Sequence, residues 1–367
     1  MSQQSTLIGL GGGTANIESD GDPLDAQQDI KWSWPNTPLE PDTFGLTICC
    51  MARDFTYLAQ HKGSWINRYS RVCTTLLLLA LCLAIQVLLL VYVKRFVSAR
   101  AVHDVRVTYD AFEDAMYHGN TWVATERPEE RRGDGGPHGP HFDLSVFESL
   151  DRDLQVACCN ISLSQPVFFF AILFVWTLTC VAEIRKCKDL LESLILQTET
   201  CEDMSRCLVD TDDGDIDGMR RFVIARLTRS MKVTLTLTVL VPRFSITCYL
   251  LWVGCRWLLG TTDFSELIMN SVALEFILRL KDVIYLAIVP RRNMIDLENT
   301  EIRPTRPHEP ESLTVLIGTM CWALLAALWV LLYMGVPGHN GLQTVLRHYQ
   351  WDVQPVCTAW VAQRFAV

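Results

Sequence analysis

The chain has 367 residues, of which 50% are hydrophobic and 20% charged, and its formal net charge is −9 at pH 7. This length excludes a small disulfide-stapled secreted scaffold, and the hydrophobic content excludes a disordered chain. The acidic balance argues against a nucleic-acid partner, because nucleic-acid-binding proteins carry a basic face. The apolar residues are concentrated in long blocks with few charges, which is typical of membrane spans.

Residues 1–71 precede the first long apolar block and are predicted to form a disordered, cytoplasmic arm. The first 45 residues are acidic, contain glycine and proline, and show no hydrophobic period. A segment of this composition cannot bury enough apolar surface to offset the conformational entropy lost on folding. We therefore expect no packed element before the first span.

Five apolar blocks predict membrane-spanning helices. The clearest is Val72–Val93, which has no charged residue over 22 positions. At about 1.5 Å per residue, this length is enough to cross about 30 Å of hydrocarbon. The third and fourth blocks contain charges and are separated only by a short turn, which indicates an antiparallel helical hairpin. The predicted spans are residues 72–93, 166–182, 233–259, 267–289 and 313–334.

The distribution of lysine and arginine predicts the orientation of these spans. If the N-terminus lies inside, the cytoplasmic flanks hold more than twice as many basic residues as the opposite flanks. Segments 183–232 and 290–312 are then cytoplasmic, whereas segments 94–165 and 335–367 lie on the other side. The predicted fold class is therefore an all-α integral membrane protein of about five transmembrane helices with helical extramembrane loops.

Three of the 14 cysteines fall on the extracytoplasmic side in this topology, namely Cys158, Cys159 and Cys357. Disulfides persist in oxidising compartments and are rare in the cytosol. We therefore predict a disulfide from Cys357 to either Cys158 or Cys159.

The cytoplasmic segment 183–232 contains an acidic run with three alternating aspartates, Asp213, Asp215 and Asp217. They match the first half of a calcium-binding loop, which begins D-x-D-x-D-G. The second half of the pattern is missing, because Ile224 stands where a bidentate glutamate is required. We interpret the run as a solvated turn, with a degenerate calcium site as the alternative. The sequence predicts no other cofactor.

The fourth span carries a charged stripe. Spaced at 100° per residue, Ser271, Glu275, Arg279 and Asp282 fall within an arc of about 80°. Charged side chains are costly in hydrocarbon, so the stripe should face protein or an aqueous path. Glu275 and Arg279 are four residues apart and are expected to pair along the helix.

Arg243 lies inside the third span, at about the same depth as Asp282 in the fourth, roughly 24 Å from the hairpin turn. This agreement predicts an ion pair across the hairpin. Lys281 points away from the stripe and is expected to extend to the inner membrane surface. Two interpretations stay open for Arg243 and the stripe: a structural ion network, or the lining of an ion or proton pathway.

The hairpin contains the residues Arg256-Trp257-Leu258 and, after the turn, the block Asn270–Leu278 (NSVALEFIL). This sequence resembles a recurrent block in uncharacterised multi-pass membrane proteins of dinoflagellate algae, over roughly residues 220–292. The resemblance implies a membrane-embedded helical hairpin and carries no activity. Similar chains often have an acidic pair after the block, where this chain has Arg279, Lys281 and Asp282.

No hydrolase triad, zinc motif, kinase motif set or transporter repeat is visible in the sequence. We therefore expect a non-enzymatic membrane protein. The first hypothesis is a channel-related or transport-related protein that uses the charged hairpin as an ion or proton path. The alternative is a membrane scaffold or signalling adaptor whose acidic cytoplasmic loop responds to calcium or to partner proteins. The expected partners are the lipid bilayer and, by self-association or in a complex, other membrane proteins.

Overall fold

The computed structural model describes residues 36–61, 63–116, 144–211, 221–303, 313–336, 339–346, 349 and 351–364. Most of these residues are helical. The helices are α1 (Thr43–Ala59), α2 (Trp65–Met116), α3 (Leu144–Ser149), α4 (Arg152–Cys159), α5 (Pro166–Gln197), α6 (Arg229–Gly260), α7 (Phe264–Ile288), α8 (Arg291–Glu298), α9 (Leu313–Met334) and α10 (Val353–Arg364).

Within the described residues, four helices are long and apolar enough to cross a membrane: α2, α5, α6 and α9. They coincide with four of the five predicted blocks, which confirms an all-α architecture with several membrane-type helices. The remaining block forms α7, whose 25 residues are also long enough to cross. α7 is less apolar than these four helices, because it carries charged residues between Glu275 and Asp282.

Two of these helices extend well beyond their predicted ends. α2 continues through a π-helical turn at Val93–Ser98 and ends at Met116, inside the segment 94–165. α5 continues past residue 182 to Gln197. Both extensions agree with the helical extramembrane loops that the sequence predicts. Neither glycine nor proline occurs between residues 65 and 116 or between 167 and 197, so nothing in these segments stops the helix.

Small sheets form at the end of the bundle where α2 begins. The strands are β1 (Thr37–Pro38), β2 (Glu199–Cys201), β3 (Leu208–Thr211), β4 (Arg221–Ile224), β5 (Arg226–Thr228) and β6 (Thr300–Ile302). One sheet has the order β1-β6-β4-β3, in which β4 and β6 are parallel and the other pairs antiparallel; β2 pairs with β5 in parallel. The larger sheet therefore joins three segments that the sequence assigned to the cytoplasm.

A second folded region surrounds the other end of α2, where α3, α4 and α10 pack together with the short hairpin of β7 (Gly335–Val336) and β8 (His339–Asn340). The Tyr109 hydroxyl donates to the Asp352 carboxylate over 3.1 Å. A disulfide joins Cys159 to Cys357, which confirms one of the two predicted pairings, and Cys158 is buried as a free thiol. Both segments that the sequence assigned to the extracytoplasmic side thus lie together.

The predicted disordered arm of residues 1–71 is wrong for its second half, because α1 is packed into the core along most of its length. The helix starts at Asp42, whose carboxylate accepts a hydrogen bond from the Gly45 amide over 2.7 Å. A Cβ atom at Gly45 would lie 2.0 Å from the Glu40 carbonyl oxygen, so this turn requires glycine. Residues 1–35 lie outside the described residues.

α5 and α6 approach each other closely at Gly254. A Cβ atom there would lie 2.5 to 2.8 Å from atoms of the Trp176 indole ring. Trp176 is itself buried between these helices, so the ring has little room to move. The glycine therefore sets the distance between two of the apolar helices.

We expect Gly254→Ala to lower the free energy of unfolding by about 1–3 kcal/mol, the usual cost of overpacking a core. Thermal unfolding of the purified protein in detergent measures the loss. Gly318→Ala in α9 is the matched control, because its new Cβ atom would have no neighbour within 4 Å. Equal unfolding temperatures for the two variants would contradict the close approach of α5 and α6.

Candidate functional site

The predicted charged stripe lies on the outward face of α7. Arg279 has a side-chain exposure of 68%, and Ser271, Glu275 and Asp282 are partly exposed. The expected pair along the helix is formed, with 2.8 Å between the Arg279 guanidinium and the Glu275 carboxylate. In the single chain the stripe therefore points away from the core.

The predicted ion pair between Arg243 and Asp282 is wrong. The Asp282 carboxylate lies beside the ammonium group of Lys281, at 3.8 Å, whereas Arg243 binds other carboxylates. Equal depth along two helices does not place two side chains on facing sides. One residue corresponds to a rotation of 100°, so Lys281 faces the third span and Asp282 faces outward.

Lys281 does not extend to the membrane surface as expected, because only 5% of its side chain is exposed. Its ammonium group lies 3.0 Å from the Asp42 carboxylate and 3.0 Å from the Glu183 carboxylate. The hydroxyl of Thr43 donates to the Lys281 backbone carbonyl over 2.7 Å. The lysine is thus held in the interior from three sides.

Arg243 occupies the same interior site, with 3% of its side chain exposed. One guanidinium nitrogen lies 2.6 Å from a Glu40 oxygen and 2.9 Å from a Glu183 oxygen. A second nitrogen lies 3.7 Å from Asp42, and the guanidinium carbon sits 5.4 Å from the centre of the Phe44 ring. We call Glu40, Asp42, Glu183, Arg243 and Lys281 the buried charge cluster.

The residues of this cluster come from four separate segments of the chain. Glu40 and Asp42 precede α1, Glu183 lies on α5, Arg243 on α6 and Lys281 on α7. Buried ions remain charged only when partners replace their lost hydration. The cluster therefore requires that these four segments stay together.

The charges of the site are balanced at its edge. Two buried cations face three carboxylates, and the ammonium group of Lys186 adds a third cation at 3.6 Å from Glu40 and 3.1 Å from Glu183. Among the described residues, the Nε atom of Arg243 has no hydrogen-bond partner. The arrangement is a nearly neutral ion network whose edge, at Glu40 and Lys186, is partly exposed.

Sequence reasoning missed the three carboxylates of the cluster. Glu40 and Asp42 lie in the arm that was expected to be disordered, and Glu183 lies just past the predicted end of the second span. The available signal was the number of cations inside predicted spans: Arg243 and Lys281 are each too costly to bury unpaired. Two such cations require carboxylates from somewhere else in the chain.

The calcium interpretation concerns Asp213, Asp215 and Asp217, which lie outside the described residues. The strands on either side of them, β3 and β4, pair in an antiparallel hairpin. Among the residues that the structure does describe, no group of three or more histidine, cysteine, aspartate or glutamate side chains is arranged to hold a metal ion.

Comparison with protein families, with curated proteins and with solved structures finds no match to this chain. The resemblance of the hairpin block to dinoflagellate membrane proteins therefore stays a prediction from the residues alone.

We expect Lys281→Met to lower the free energy of unfolding by about 3–5 kcal/mol, because it leaves buried carboxylates without their cation. Combining it with Asp42→Asn removes one charge of each sign, and asparagine still caps α1. The double variant should therefore be less destabilised than the sum of the two single variants, by about 1–3 kcal/mol.

Thermal unfolding in detergent measures all three variants. Arg279→Gln on the exposed stripe is the control and should change stability by less than about 1 kcal/mol. Strict additivity of the Lys281→Met and Asp42→Asn effects would contradict the direct ion pair.

Proposed function

We propose that this is a non-enzymatic membrane protein with five crossings and a cytoplasmic N-terminus. We further propose that copies of the chain assemble so that their α7 stripes line a path for a proton or a small ion. The observation that supports this path is that Glu275 and Arg279 lie on the outer surface of a helix that is otherwise suited to a membrane.

The two folded ends of the bundle support the topology. The larger sheet gathers the segments before α2, after α5 and after α7, as expected if all three lie on one side. The disulfide between Cys159 and Cys357 joins segments of the opposite side and suits an oxidising compartment. Lysine and arginine counts favour placing the sheet end in the cytoplasm.

The connection between α6 and α7 supports a crossing by α7 as well. The turn between them lies at the disulfide end, where the Ser162 hydroxyl donates to the Thr261 carbonyl over 2.6 Å. α6 begins directly after β5, and α7 is followed by α8 and β6. Both helices therefore run between the two ends of the bundle.

The position of Glu275 argues against contact with lipid. It lies roughly 17 Å along α7, near the middle of a 25-residue helix. A charged residue at the centre of a span costs about 2.5–3.5 kcal/mol on insertion scales. Pairing with Arg279 offsets part of this cost but leaves both groups without water. Another protein surface or an aqueous path must therefore cover the stripe.

The rest of the exposed face of α7 suits contact between copies. Val272, Phe276 and Val283 are exposed and lie beside the stripe at helical spacing. An apolar strip packed against a neighbouring copy would turn the polar stripe toward the centre of the assembly. There, the Glu275 carboxylate can exchange a proton or attract a cation, while Arg279 limits the net charge of the path.

Flux measurements with purified protein in liposomes test this proposal, using a pH-sensitive dye for protons and a potassium-loaded interior for cations. Glu275→Gln should change the flux at least severalfold without lowering the unfolding temperature, because the residue is outside the buried charge cluster. Glu266→Gln, in the first turn of the same helix, is the matched control and should leave flux unchanged.

Flux through the intact protein no greater than that of empty liposomes would contradict the transport proposal. The second candidate function is a membrane scaffold or signalling adaptor, which is favoured by the four-stranded sheet at the proposed cytoplasmic end. A calcium-dependent change in the full-length protein, together with absent flux, would support that role. No effect of millimolar calcium would count against a calcium-responsive adaptor.

A further inference from the structure

A second polar site lies outside the buried charge cluster, between α1, the first turn of α2 and α8. It is a pocket of about 360 Å³. Its walls include four arginines and two asparagines: Arg53, Arg68, Arg71, Arg292, Asn67 and Asn293. All six side chains carry hydrogen-bond donors, and the Asp296 carboxylate also lines the wall, so donors outnumber acceptors in the pocket. We call it the arginine pocket.

The arginines outnumber the carboxylates around them. Asp54 is buried 2.8 Å from Arg68, and Asp296 lies 2.8 Å from Arg53 and 2.9 Å from Arg71. Burial by itself raises the pKa of Asp296, but the hydrogen bonds and charges of Arg53 and Arg71 lower it below the usual value. Even with both aspartates ionised, the pocket keeps an excess of two positive charges.

Donors in the arginine pocket are left without partners. Arg53 is 3% exposed, yet its Nε atom has no hydrogen-bond acceptor among the described residues, and the same holds for the Nε atom of Arg71. The nearest carboxylate oxygens belong to Asp54 and lie 3.9 and 3.7 Å from these two atoms. The Oδ2 atom of Asp54 likewise has no hydrogen-bond partner among the described residues. Arg292 is exposed and forms no ion pair within the described part of the chain. Unmatched buried donors are costly unless a ligand satisfies them.

The start of α2 adds to this positive potential. Ser64 occupies the capping position but makes no side-chain hydrogen bond to the first turn. The free backbone N–H groups of a first helical turn carry a partial positive charge and bind anions. Ser64, Asn67 and Arg68 of this turn all line the pocket. A helix end and four guanidinium groups therefore surround the same space.

We propose that the arginine pocket binds a phosphomonoester. The planar guanidinium group matches the oxygens of a phosphoryl group and pairs with two of them at once. A phosphomonoester carries close to two negative charges at neutral pH, which equals the excess of the pocket. The volume accommodates the phosphoryl group together with a small polar carrier such as a glycerol or sugar unit.

Two sources of this chemistry are distinguishable. The first turn of α2 exposes Trp65 at 67%, with Ile66 and Tyr69 beside it, just before the apolar part of the helix. Aromatic residues in this position lie at the membrane–water interface. A lipid headgroup would thus reach the pocket from the bilayer surface, whereas a soluble phosphomonoester would enter from water.

The full-length protein tests the proposal with three probes: inorganic phosphate, glycerol phosphate, and nanodiscs of phosphatidylcholine that contain phosphatidic acid. A specific ligand raises the unfolding temperature in proportion to its occupancy of the folded state. We expect stabilisation by at least one probe, with chloride at equal ionic strength giving none.

Arg292→Gln is the informative variant, since this exposed side chain supports no other contact described here. It should weaken binding about tenfold, as expected for the loss of one charge-assisted partner. Arg291→Gln removes the same charge from the adjacent exposed position, which does not line the pocket, and should leave binding unchanged.

The probes separate the two sources. Binding of glycerol phosphate without a further effect of phosphatidic acid supports a soluble ligand, and stabilisation by phosphatidic acid alone supports a lipid headgroup. Failure of all three probes at millimolar concentration would overturn the proposal. So would equal losses from Arg291→Gln and Arg292→Gln, which would indicate only diffuse attraction. Neither result depends on whether the protein transports ions.

Discussion

The structure depends on one electrostatic constraint, which is that Arg243 and Lys281 are buried at the same level of the bundle. Neither cation reaches water, so each must be paired with carboxylates inside the bundle. Glu183 is available on α5, but the others, Glu40 and Asp42, belong to the N-terminal segment. Because Glu40 and Asp42 directly precede α1, their ion pairs hold α1 against the apolar helices. The contacts of α1 with α2 and α8, the strand β1 and the arginine pocket all follow from that placement.

The same constraint separates the two faces of α7. Lys281 points inward and its ammonium group is paired with carboxylates of the buried charge cluster. Glu275 and Arg279 point outward and lie on the surface. A pathway inside one chain would need the stripe to face the core, where the apolar side of α7 packs instead. For that reason we place the proposed ion path between copies of the chain. The arginine pocket lies at a different level, near the start of α2, and is independent of this path.

Long uncharged blocks made much of the fold predictable. The stretches 72–93 of α2, 166–182 of α5 and 313–334 of α9 contain no charged residue, so no partner had to be known in order to recognise them. α6 was recognisable in spite of Arg243, because the rest of its apolar stretch is long enough to cross a membrane. Assigning cysteines to sides of the membrane was enough to predict a disulfide at Cys357. α1 escaped prediction because its apolar run is short and interrupted by Arg53 and Asp54. Arg53 pairs with Asp296, which lies far away in the sequence, and Asp54 pairs with arginines at the start of the next helix. The pairing of Arg243 was mispredicted because depth was considered without the rotation of each helix.

Hydrogen–deuterium exchange of the full-length protein in nanodiscs tests the central claim most directly. If the buried charge cluster holds α1 in the bundle, the backbone amides of residues 46–56 exchange as slowly as those in the middle of α7. Exchange of these amides within seconds, as in a disordered arm, would contradict the account and would leave Arg243 and Lys281 without their carboxylates.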